Sequence, residues 1–169
     1  GGTEYKPTEY LFGRHPRVIT QRDFETMLSE RPEEAARYAR IAMIQCVGSR
    51  EPEHPYCSRV CCTAACSNAA RVKELNPKAE VSVLYRDIRT FGTNERVYQE
   101  ARRRGVRFHR FEADRKPEVR PNGDGVSLAF HDAQLERDFT LDADLLVLSA
   151  AIRPAETAKA LAEDRKSVV

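Results

Sequence analysis

The chain has 169 residues, enough for one domain with its own hydrophobic core. Its 28 Lys and Arg nearly cancel 26 Asp and Glu, for a net charge of +2, which argues against nucleic acid or a membrane surface as partner. No apolar run approaches the ~20 residues that span a bilayer, and no signal-peptide pattern opens the sequence, so the expectation is a cytoplasmic protein without membrane insertion.

Residues 1–18, with Pro7, Gly13, Pro16 and scattered aromatics, are expected to form an extended connector. Thr20 is placed to cap a helix running to Leu28, with Asp23 at its third position and Phe24, Met27 and Leu28 on the apolar side. A further turn or two follows Pro32. An apolar strand over 41–45 runs into Cys46 and Gly48, and a proline-containing loop follows over 49–56. A helix is expected over 58–75, a buried strand over 81–85, and a helix from an Asn94 cap to Arg104, ended by Gly105. A strand over 106–111 precedes a hairpin turning at Asn122-Gly-Asp-Gly125, then a strand edge at 139–141 and an apolar strand over 145–149. Pro154 ends it, and a last helix is expected over 156–162. Strands alternating with helices predict an α/β fold: a three-layer parallel sheet with an inserted β meander. The expected division is a connector with short helices at 1–39, a Rossmann-like unit at 40–154 and a C-terminal helix or tail at 155–169.

All five cysteines lie between Cys46 and Cys66, in the pattern C-x10-C-x3-C-C-x3-C. An odd, local set does not tie distant parts of a fold together, so a metal or redox site in a reducing compartment fits better than a disulfide framework. A tetrahedral zinc holds its sulfurs only about 3.8 Å apart and favours C-x2-C knuckles. Here the close pair Cys61-Cys62 diverges by about 100° on a helix, and Cys57 and Cys61, at i and i+4, are expected to stand roughly 5–6 Å apart at Cβ. That spread suits a [4Fe–4S] cluster better than zinc, which stays open as a structural alternative. His54, in the loop between Cys46 and Cys57, is a weaker candidate ligand, and no nucleophile–base set or P-loop is present.

The element order matches the NAD(P)-binding half of the two-dinucleotide flavoprotein reductases. Such a half should carry G-x-G-x-x-G after its first strand, where glycines let amides approach a pyrophosphate. Only Gly48 remains there, and the cysteines fill the position. NAD(P) binding with redox-active thiols is therefore the third and weakest reading.

Long stretches resemble one known family: Gln45-Cys-Val-Gly-Ser-Arg50, Tyr56-Cys-Ser-Arg-Val-Cys-Cys62 and Leu84-Tyr-Arg-Asp-Ile-Arg-Thr-Phe-Gly92. Gly1-Gly-Thr-Glu-Tyr-Lys-Pro7, Glu9-Tyr-Leu-Phe-Gly13 and Ala143-Asp-Leu-Leu-Val-Leu-Ser149 fit it too. The family is the A-subunit family of heterodisulfide reductase, iron–sulfur flavoproteins of thioredoxin-reductase-like architecture. The resemblance implies a [4Fe–4S] cluster on Cys46, Cys57, Cys61 and Cys62; Cys66 lies outside that quartet and, one helical turn after Cys62, is expected to be a buried spectator or else a substitute ligand. It implies FAD bound by polypeptide outside this chain, since no flavin fingerprint is present. It further implies electron relay to other redox subunits of a heterodisulfide-reductase-like complex, to ferredoxin or to hydrogenase, with the chain itself an internal part of a larger oxidoreductase. A homodimer through faces that would otherwise meet the flavin domain is a further expectation. Arg50, Arg59, Arg86 and Arg89 are expected to offset cluster charge, to dock an acidic partner, to mark a vestigial dinucleotide phosphate site or to form ordinary pairs such as Arg86 with Asp87; Tyr56 and Tyr85 are expected to pack around the site.

Overall fold

In the computed structural model, which describes residues 2–155, each parallel strand of the central sheet ends at one edge of the molecule. The elements run β1 (Gly2–Glu4), β2 (Val18–Thr20), α1 (Gln21–Glu30), α2 (Pro32–Ala35), β3 (Arg40–Val47), α3 (Cys61–Leu75), β4 (Glu80–Tyr85), α4 (Glu95–Arg103) and β5 (Arg107–Arg110). They continue with β6 (Glu118–Asn122), β7 (Gly125–Asp132), β8 (Arg137–Ala143), β9 (Leu145–Ala150) and β10 (Ile152–Pro154). The main sheet has the order β2-β9-β3-β4-β5 with every pairing parallel. The β6-β7-β8 meander is a separate antiparallel sheet, and β1 pairs with β10. Among the described residues no helix is long and apolar enough to cross a membrane.

Alternation along the strands builds two cores, one on each face. Ile41, Met43, Val81, Val83, Leu145 and Val147 pack with Phe24, Ala65, Ala69 and Val72 on the helical side. Ala42, Ile44, Leu84, Leu146 and Leu148 pack with Val126, Leu128 and Phe130 of the meander. The expected three layers are therefore present: helices, parallel sheet, meander.

Several local expectations hold. Thr20 and Asp23 form a reciprocal capping box at α1, and Asn122 opposes Gly125 across a two-residue turn in which Gly123 has φ +58°. Others are corrected. The stretch expected as an extended connector supplies β1, and at its last residue the edge strand β2 begins. Asn94 makes no side-chain cap: a 3-10 turn over Gly92–Asn94 leads into α4, and Thr90 donates instead to the Glu95 carboxylate at 2.9 Å. Helix α3 starts at Cys61 rather than residue 58, because Arg59 adopts a left-handed backbone, φ +65°. The helix expected over 156–162 lies outside the described residues.

Candidate metal centre

Strand β3 ends at the point where the chain order reverses, with β4 and β5 laid to one side and β9 and β2 to the other. Open α/β sheets place ligands at such a switch point, beyond the carboxyl ends of the strands. Cys46 lies at the end of β3, and Cys61 and Cys62 open α3, so the sheet delivers them to this position. Cys57 lies in the loop between and not on the helix, which removes the i, i+4 relation expected for Cys57 and Cys61; its Sγ accepts the Arg59 backbone N–H at 3.3 Å.

The backbone here departs from regular geometry. The β3–β9 register shifts between Ile44 and Val47, and Cys46 inside that shift has φ +63°. Without it Val47 would follow Ile41 and Met43 to the helical side; it packs instead with Ile44 on the meander side. Gly48 (φ +72°), Arg50 (φ +58°) and Arg59 continue the left-handed positions. For residues other than glycine each costs about 1–2 kcal/mol, and such concentration is characteristic of functional loops. Gly48 has a second constraint, since a Cβ would come within 2.2 Å of the Tyr5 ring.

The thiols influence one another electrostatically. Burial pushes the Cys46 thiol up, against the opposing pull of Arg50 and Arg86 and with Cys57 adding to the rise. Cys61 is pushed up to about 11 by burial, then by Cys62, Cys46 and Cys57. Burial also raises Cys62, with Cys46 and Cys57 contributing and the Arg89 backbone opposing. Cys66 is different. Burial takes it to about 12, and Cys62 is the one thiol that acts on it. Its side chain is fully buried among Ala65, Ala69 and Val72. The structure thus places Cys46 at the end of β3, Cys57 in the loop that follows and Cys61 and Cys62 at the start of α3, with Cys66 buried in the core one turn beyond Cys62. Among the described residues no three His, Cys, Asp or Glu side chains are placed to hold a single metal ion.

The arginines divide differently from the sequence expectation. Asp87 takes Arg50 at 2.8 Å and Arg89 at 3.5 Å, whereas Arg86 takes Glu51 at 2.6 Å and donates to the Arg50 carbonyl at 2.8 Å. Lys116 closes on the same Glu51 at 2.8 Å. Arg50 and Arg86 are therefore held by Asp87 and Glu51 respectively, and the Arg86–Asp87 pair expected from the sequence is not the one formed. His54 turns to the Tyr56 hydroxyl, 3.3 Å away. Tyr85 is buried, edge-on to Phe108, while Tyr56 is exposed.

No family model matches the chain. Individual proteins do. It is 35% identical over 178 residues to the A subunit of the H(2):CoB-CoM heterodisulfide,ferredoxin reductase of Methanothermobacter marburgensis, covering 95% of this chain and 27% of that protein. It is also 35% identical over 159 residues to the iron-sulfur A subunit of the CoB–CoM heterodisulfide reductase of Methanocaldococcus jannaschii, covering 86% and 24%. The chain is homologous to the A-subunit family of heterodisulfide reductase. It spans about a quarter of the length of the curated relatives it matches. Solved structures give the fold. Thioredoxin reductase of T. acidophilum superposes with a TM-score of 0.53 at 12% identity, over 94% of this chain and 44% of that one. L-lysine 6-monooxygenase of Pseudomonas syringae gives 0.59 at 11% identity, over 92% and 45%. The sheet is thus that of a dinucleotide-binding reductase half, with cysteines in place of the glycine fingerprint.

Proposed function

We propose that this segment of a heterodisulfide-reductase-like protein is an electron-transfer module in which Cys46, Cys57, Cys61 and Cys62 hold a [4Fe–4S] cluster. The observation that supports the reading is where the elements put these cysteines: Cys46 at the end of β3, Cys57 in the loop that follows and Cys61-Cys62 at the start of α3, all at the switch point, with Cys66 buried in the core. The donor set fits the group: all sulfur, deprotonated on binding, with Arg50 and Arg86 beside Cys46 to offset the negative charge of a thiolate-ligated cluster. A cluster bound there supplies a one-electron carrier, its potential tuned by burial and by N–H groups directed at sulfur, such as that of Arg59 at Cys57. Three of the relatives are named as iron-sulfur subunits of a CoB–CoM heterodisulfide reductase, and others are named for ferredoxin as well as the heterodisulfide. On that basis the electrons pass between a flavin held by polypeptide outside this chain and partner redox subunits or ferredoxin.

Anaerobic reconstitution of the chain, followed by iron, acid-labile sulfide and zinc determination, tests the reading. About four irons and four sulfides per chain support it. One zinc without sulfide would replace it with a structural zinc module, and NADH binding to the iron-free chain would favour the dinucleotide reading.

A further inference from the structure

The edge of the main sheet opposite the cysteines holds a cavity that the thiol assignment does not touch. It measures about 420 Å³ and opens where β3, β4 and β5 begin, at Arg40, Glu80 and Arg107, with β7 and β8 of the meander as its far wall. Its polar centre is His109. Asp132 is 1% exposed, receives the Gln134 and Leu135 backbone N–H groups, and holds the His109 Nδ1 at 3.0 Å. A carboxylate is an acceptor, so Nδ1 carries the proton of that bond. The other ring nitrogen, Nε2, has no hydrogen-bond partner among the described residues and, in a side chain 15% exposed, is not sealed from solvent. Phe130 and Phe139 fix the imidazole between them, at centroid distances of 5.1 and 5.6 Å.

We infer that this cavity binds a small uncharged ring carrying a hydroxyl, a phenol-type ligand. A hydroxyl both donates and accepts, so it meets Nε2 whether or not that nitrogen bears a proton. Phe139 and Leu141 line the cavity and are only partly buried, which leaves apolar surface for a ring to cover. The mouth selects against charge, because its ions are already paired. Arg107 is taken by Glu80, and Arg40 is shared between Asp142 at 3.7 Å and Asp144 at 2.7 Å. A charged ligand would lose its hydration without finding a free counter-ion, whereas an uncharged ring releases water from apolar walls. The volume lies in the range of small-molecule pockets, about 300–1,000 Å³. Apolar walls with one oriented polar group are also the usual lining of such pockets. The inference depends on His109 and Phe139 and not on the thiols, so it stands or falls separately from the cluster assignment.

Titration of the full 169-residue chain, without iron, with para-fluorophenol and with para-fluorotoluene tests it, followed by fluorine NMR. Saturable binding of the phenol is expected. His109→Phe should weaken it about three- to tenfold, the worth of one hydrogen bond, and should leave the affinity for the toluene unchanged. In the unsubstituted chain the phenol, and not the toluene, should shift the nitrogen resonance of His109 Nε2, a reading that does not require the variant to fold. Absence of saturable binding by the phenol, an equal loss of both probes in His109→Phe, or an Nε2 resonance that the phenol leaves in place would overturn the inference.

Discussion

Cys46 is held in a left-handed backbone at the end of a buried strand, and Gly48 two residues later adopts the same region with the Tyr5 ring over it. Gly48→Ala meets both penalties: about 1–2 kcal/mol for the left-handed backbone, and a Cβ within 2.2 Å of an aromatic ring. Thermal or urea unfolding should show a loss of at least that size, and an unchanged midpoint would refute the packing of Tyr5 on Gly48. Asp132, 1% exposed, accepts from His109 at 3.0 Å and from the Gln134 and Leu135 backbone N–H groups. Asp132→Ala leaves these donors unpaired, and about 2–3 kcal/mol of stability should be lost in a denaturant titration. The sequence displayed none of these contacts, because Tyr5 and Gly48, or His109 and Asp132, meet only through the folded topology. What it did display was the cysteine run, whose crowding within Cys46–Cys66 is a one-dimensional property.

Elements legible in the sequence are those specified by their own residues. The Thr20–Asp23 capping box is local, and Thr20→Ala should cost about 1 kcal/mol in unfolding free energy. The apolar runs of β3, β4 and β9 announce strands buried on both faces. The start of α3 was not legible, since Ser58 and Val60 do not forbid a helix; Arg59 breaks the pattern through its backbone and the N–H it gives Cys57. β1, β2 and β10 were invisible for another reason: three-residue strands exist because of their partners. One junction between elements is sensitive to pH. Partial burial works against the Asp144 carboxylate, yet Arg40, donating from its backbone N–H at 2.8 Å and its guanidinium at 2.7 Å, holds its pKa below the ordinary value. A depressed carboxylate stabilises the fold above its unfolded pKa of about 3.9 and loses that contribution as pH falls through the folded value. The melting-temperature difference between the unsubstituted chain and Asp144→Asn should therefore be largest near neutrality and shrink in acid; a constant difference would contradict the pairing.

At the scale of the molecule, the two ends of the described chain meet beside the cysteine loop. β1 pairs with β10, the Tyr5 N–H donates to the Ala151 carbonyl at 2.7 Å, and the Ile152 N–H donates to the Ser58 hydroxyl at 2.9 Å. Arg153 lies 3.9 Å from the Tyr5 ring centroid and donates to the Gly48 carbonyl at 3.2 Å. The cysteine loop is therefore braced by segments about a hundred residues away, on a sheet whose topology resembles that of the dinucleotide-binding reductases. The most direct test of the ligand set is the iron content of five single variants after anaerobic reconstitution: Cys46→Ala, Cys57→Ala, Cys61→Ala, Cys62→Ala and Cys66→Ala. The first four are expected to lose most of their iron and sulfide, while Cys66→Ala keeps the full complement. Loss of iron in Cys66→Ala, or its retention in any of the other four, would contradict the assignment of the ligands.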